Sequence, residues 1–153
     1  MSSKTRTVLT AGVLAVALGL GATATASAGT PRTVSGKPSD DVTRIADFYG
    51  AYIDAVTDED GGDLGTALRG HYLTAGFQRK LAAWEDKEHA DGVLRAQNVP
   101  LAWKVTAHGS TAHRTEAVVT LTWSRHSTSE LVVDMARDSR KIVHIGEKGA
   151  GAR

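Results

Sequence analysis

Apolar side chains return every three or four residues between Val42 and Val56, at Val42, Ile45, Tyr49, Tyr52, Ile53 and Val56, with Phe48 widening the stripe. That period predicts an amphipathic helix with one buried face. Pro38-Ser39-Asp40-Asp41 supplies its start, a capping side chain and acids at the positive end of the helix dipole. The run from Asp58 to Gly62 stops it. A short second helix follows, capped by Asp63, carrying Leu64, Ala67 and Leu68, and ending at Gly70 and His71. Thr74 caps a third, with Phe77, Leu81 and Trp84 on one side, which decays into the charged stretch Glu85 to Asp91. Gly92 to Pro100 reads as irregular.

Beyond Pro100 the period changes from helical to two. Trp103, Val105 and Ala107 alternate with Lys104, Thr106 and His108, and Gly109-Ser110 reads as a turn. Ala117, Val119, Leu121 and Trp123 alternate next, then Leu131, Val133 and Met135. Asp138-Ser139 turns the chain into a last strand, Lys141 to Ile145. Short alternating runs split by turns predict an antiparallel meander with one buried face. Helices first and strands second make an α+β domain, with the N-terminal helices packed on a curved sheet. Such a pairing closes into a cone whose open end is a pocket.

The first 28 residues follow a different logic. Lys4 and Arg6 precede an apolar run, Val8 to Ala22, and Ala26-Ser27-Ala28 offers small residues to a signal peptidase. The run is too short and too rich in Ala and Gly for a membrane anchor, so a cleaved export signal is expected. The organisation read from the sequence is a signal peptide at 1–28, a flexible leader at 29–38, one α+β domain at 39–146 and a tail at 147–153. No second long apolar stretch predicts a membrane span. The exported product is expected outside the cell, free or associated with the cell wall.

Composition narrows the classes. The 153-residue chain has no cysteine, so a lipid-anchored cut site and disulfide staples are both excluded, and the core must supply the stability. Loss of 28 residues leaves 125, enough for one core. Removing Lys4 and Arg6 takes the 18 basic residues to 16 against 17 acidic, a formal charge of −1. That balance argues against nucleic acid as a partner, because such binding needs clustered positive charge.

Phe48-Tyr49-x-x-Tyr52, Tyr72-Leu73-Thr74 and the stretch Asp91-Gly92-Val93-Leu94-Arg95-Ala96-Gln97-Asn98-Val99-Pro100, followed by Trp103, carry a likeness. With the element order, they make the chain resemble an exported bacterial family known as domain of unknown function 3828. That family lies within the nuclear transport factor 2-like (cystatin-like) superfamily. The resemblance spans Val42 to Ile145. The sequence departs from the family pattern at Gly92, where the family has proline, and at Asn98, where it has aspartate. The resemblance implies the cone and, since sheets of this superfamily often pair, a homodimer. It implies no single activity: the superfamily holds isomerases, dehydratases, binding modules and scaffolds.

Candidate chemistry is sparse. Asp58 to Asp63 resembles the start of a calcium loop, but Gly62, Asp63 and Arg69 fall where an oxygen ligand, a glycine and a bidentate glutamate are needed. His108 and His113 flank a predicted turn, short of the three ligands that zinc requires. No Gly-x-Ser-x-Gly or His-Glu-x-x-His occurs, and Gly19-x-Gly21-x-x-Ala24 lies within the export signal. No cofactor or metal is expected. Tyr49, Tyr52, Trp84, Trp103 and Trp123 either pack the core or line the cone mouth around a small ligand, with Gln97 among the polar contacts. Gln97 also suits a second role, tying the irregular loop to the backbone. Glu116 becomes an acid–base candidate only if its strand face is the concave one. The leading expectation is a secreted, non-enzymatic module binding a small ligand or a protein. The alternatives are a small pocket lyase or isomerase with one acid–base residue, and a secreted inhibitor.

Overall fold

The computed structural model describes residues 33–149, save 59 and 61. The expected export signal at 1–28, the first part of the expected leader and the last four residues lie outside the described residues. Three helices, α1 (Asp41–Thr57), α2 (Leu64–Tyr72) and α3 (Ala75–Glu88), precede four strands, β1 (Ala102–Ser110), β2 (Arg114–Ser124), β3 (Ser127–Ala136) and β4 (Lys141–Glu147). The fold is α+β. The strands lie in the order β1-β2-β3-β4, every neighbouring pair antiparallel.

Local chemistry explains the helix boundaries. Asp40 Oδ2 accepts the Thr43 amide at 2.7 Å and so caps α1. Thr74 Oγ1 accepts the Phe77 amide at 3.3 Å at the start of α3. His89 ends α3 in the left-handed region, at φ 53°. Asp63 stands at the N-cap of α2 without a capping hydrogen bond from its side chain, and α2 buries none of its residues.

One core joins helix to sheet. Ile45, Phe48, Tyr49, Tyr52 and Ile53 of α1 pack with Ala117, Val119 and Leu121 of β2, Leu131, Val133 and Met135 of β3, and Ile142 and Ile145 of β4. The alternation of β2 and β3 therefore faces inward as the sequence predicts. In β4 an extra residue, Val143, opposes the sheet between Asp134 and Met135. This bulge lets Ile142 and Ile145, three apart, both point into the core.

The turn expected at Gly109-Ser110 is not there. β1 runs through both residues, with a register shift between Ala107 and Gly109. The chain turns instead at Thr111, whose hydroxyl accepts the amides of His113 and Arg114 at 3.3 and 3.1 Å. A side-chain acceptor sets the turn in place of glycine. β4 likewise runs to Glu147, two residues past Ile145.

The strand β1 is one edge of the sheet and β4 the other. Leu73 bridges to Ile142, and the Thr74 amide donates to the Ile142 carbonyl at 3.1 Å. Among the described residues no helix is long and apolar enough to cross a membrane.

Candidate functional site

The space between α1 and the sheet is full. Ile45, Phe48, Tyr49, Leu121, Val133 and Ile145 are each 0% exposed. The rings of Phe48, Tyr49 and Tyr52 pack on one another, with centroids 5.4 and 5.5 Å from that of Phe48. The six aromatic and amide residues singled out in the sequence do not meet around one internal cavity. Tyr49 and Tyr52 belong to this filled core. Trp84 is half-buried on α3, with the Arg95 guanidinium 4.3 Å above its ring. Trp103, on β1, is 39% exposed and lies against Gly50 of α1. Trp123 packs on the core margin and donates from Nε1 to Ser129 Oγ at 3.0 Å. Gln97 donates from Nε2 to the His89 carbonyl at 3.3 Å, tying the loop after Gly92 to the end of α3.

A polar cluster that the sequence does not announce joins α1, α2, α3 and the Asp91–Ala96 loop. Arg69 donates to both carboxylate oxygens of Glu85, at 2.5 and 3.0 Å, and to the Tyr52 hydroxyl from two nitrogens, at 2.7 and 3.0 Å. Tyr52 in turn donates to Asp91 Oδ2 at 2.6 Å. Asp91 Oδ1 accepts the amides of Val93 and Leu94, each at 2.8 Å, and Glu85 Oε1 accepts the Gly92 amide at 2.7 Å. Burial, then the Asp91 carboxylate, push the Tyr52 hydroxyl far above its ordinary pKa. Burial alone leads the same rise at Tyr49, whose hydroxyl donates to the Val93 carbonyl at 3.3 Å. Both phenols are protonated at any physiological pH, so neither serves as a base. Burial works against ionising Glu85, but the bonds from Arg69 and Gly92 outweigh it and hold its carboxyl below the usual range. Each side-chain nitrogen and oxygen in this cluster has a partner, which marks it as a clamp on α2. The sequence holds one trace of it. Glu85 stands four residues after Leu81, on the buried side of α3 where an apolar residue would be expected.

The hollows lie at the surface. One of about 500 Å³ runs between α3 and the β4 edge, lined by Trp84, Glu88, Arg95, Val132, His144 and Glu147. Arg95 Nη2 donates to the Ile145 carbonyl at 2.6 Å, while its Nε is buried with no partner among the described residues. The His144 imidazole lies across Gly146, where a Cβ would come 2.7 Å from Nε2. A second hollow, of about 380 Å³, sits between the start of α1 and the end of β1, with Asp40, Asp41, His108 and Arg137 on its walls.

On the outer sheet face His108 Nδ1 pairs with Glu116 Oε1. Glu116 stands directly across from Asp134, and Asp134 from His144. Arg114 Nη1 lies 3.5 Å from Asp134 Oδ2. Glu116 is thus on the outer face, not the core face. Among the described residues no three His, Asp or Glu side chains gather as a metal site. At the loop after α1, Asp58 Oδ1 accepts the Asp60 amide at 3.0 Å, a local turn contact.

No known family's sequence profile matches the chain. No curated protein matches it either. The structure is similar to the crystal structure of a protein of unknown function from Bacteroides thetaiotaomicron VPI-5482, with a TM-score of 0.53 and 20% sequence identity, over 69% of this chain and 88% of that one. At that identity the likeness speaks for the α+β fold alone.

Proposed function

We propose that the protein is an exported, non-enzymatic binding module of the nuclear transport factor 2-like (cystatin-like) superfamily, whose helix-on-meander cone is closed. The filled interior carries this reading: with Phe48, Tyr49 and Leu121 fully buried, a ligand is met at the surface. Of the surface hollows, the groove beside Trp84 has the most suitable chemistry. The edge of an indole, two carboxylates, an imidazole and a guanidinium line it. Mixed donors and acceptors beside an aromatic ring suit a neutral, hydroxyl-rich ligand such as a saccharide, and do not form an anion cradle. Calorimetric titration of the secreted protein with a tetramer of N-acetylglucosamine tests this. Saturable heat that Trp84→Ala and Glu88→Gln abolish supports the groove. Absence of heat at millimolar sugar removes it.

A further inference from the structure

The two edges of the sheet are finished differently. At β4 the Thr74 amide and Arg95 Nη2 occupy the outward carbonyls of Ile142 and Ile145. At β1, among the described residues, no group of another element hydrogen-bonds to the free edge. Every β1 residue except Val105 is exposed. An open edge of this length is a template for another strand.

Side chains at this edge are apolar on one side. Val99, Leu101 and Trp103 are 37, 77 and 39% exposed, three of the five large hydrophobic residues exposed among the described residues. Trp103 pairs with the core residue Leu121, so it and Val105 share the face that α1 covers. On the opposite face stands Lys104, across from Thr120, with no carboxylate in ion-pair contact among the described residues.

We propose that the free edge of β1 docks an extended segment of another polypeptide, added as a fifth strand, with apolar residues alternating on the α1 side and an acidic residue against Lys104. Main-chain hydrogen bonds supply the affinity of such an addition, and the alternate side chains its selectivity. The acid is required by charge complementarity with Lys104. Register and charge favour a lone strand over a second copy. The register shift after Ala107 limits regular pairing to the run ending there. A two-fold pairing centred on that run, from Leu101 to Ala107, sets Lys104 against itself, and like charges directly opposed are unfavourable.

The probe is an acetylated, amidated peptide, Ser-Val-Glu-Val-Thr-Val-Ser, added to the secreted protein. Amide hydrogen exchange and tryptophan fluorescence are the readouts. Saturable binding should protect the amides of β1 and no other strand. Lys104→Glu should weaken binding at least about tenfold, and a peptide with Lys in place of its Glu should recover it. Leu101→Lys should also weaken binding, and this residue is exposed enough to leave the fold intact. Methylating alternate peptide nitrogens on the pairing edge should abolish binding. Three results would each overturn the proposal: no protection of β1 at millimolar peptide, protection placed elsewhere, or β1 protected without peptide as the protein self-associates in sedimentation.

Discussion

Arg69 reaches the Tyr52 hydroxyl with two nitrogens, at 2.7 and 3.0 Å, and through this contact a helix with no buried residue is held to the one at the centre of the core. The same guanidinium grips Glu85 on α3. Leu68 and Tyr72 of α2 pack at the core margin, and the polar contacts of Arg69 add to that packing.

Removing Arg69 should therefore cost more than a surface charge would. Arg69→Met keeps much of the stem but leaves the Glu85 and Asp91 carboxylates, 23 and 25% exposed, without their cation. Breaking one partner of a half-buried pair should destabilise by about 2–3 kcal/mol. Urea unfolding will show a lower midpoint. Exchange of α2 amides should rise before that of α1, because α1 buries six residues and α2 none.

Glu85 gives the cluster a pH dependence with a fixed sign. Its carboxyl is held below the ordinary value of 4.5 in the folded state, burial opposing and Arg69 prevailing. A depressed folded pKa contributes stability that is fully present above the unfolded value and lost as pH falls through the folded one. Stability from this group should thus be flat near neutrality and decline below about pH 4.5. Unfolding midpoints measured down that range should fall more steeply in the wild type than in Glu85→Gln. Equal slopes would show that the pair contributes nothing.

The elements were legible where their causes are local. The α1 stripe and the caps at Asp40 and Thr74 lie within a few residues of what they act on. The inward faces of β2 and β3 follow from strict alternation. Three features depend on distant or non-periodic causes. The contact of Arg69 with Glu85 spans 16 positions and needs α2 and α3 already placed. The last strand was legible from Lys141, but the bulge at Val143, which turns both Ile142 and Ile145 inward, was not. Gly109-Ser110 has turn composition, but the Thr111 hydroxyl sets the turn. The aromatic set shows the same limit. Sequence marks Tyr49, Tyr52, Trp84, Trp103 and Trp123 as large rings. Whether each fills the interior or flanks it depends on packing that only the folded chain decides.

His89 is a non-glycine residue held at φ 53° where α3 ends. Its carbonyl accepts Gln97, and a glycine would keep that bond. Relief of the left-handed strain should make His89→Gly more stable by about 1 kcal/mol. Thermal denaturation will register the gain as a higher midpoint. A lower midpoint would mean that the imidazole makes a contribution exceeding the strain.

Gly92 is confined by the clamp it completes. A Cβ there would stand 2.8 Å from Glu85 Oε1 and 3.0 Å from Leu81 Cδ2. The end of a free glutamate could swing aside, but this one is fixed by Arg69 on both oxygens. Gly92→Ala should therefore either push Glu85 off Arg69 or shift the loop, at about 1–3 kcal/mol. The double variant Gly92→Ala with Glu85→Ala separates these causes. Loss of the Glu85 side chain removes both the close oxygen and the partner of Arg69. If the strain lies in that contact, the alanine should cost far less in the Glu85→Ala background than alone. If the cost is the same in both backgrounds, Leu81 is the neighbour that resists, and the tight position of Gly92 belongs to the core rather than to the clamp.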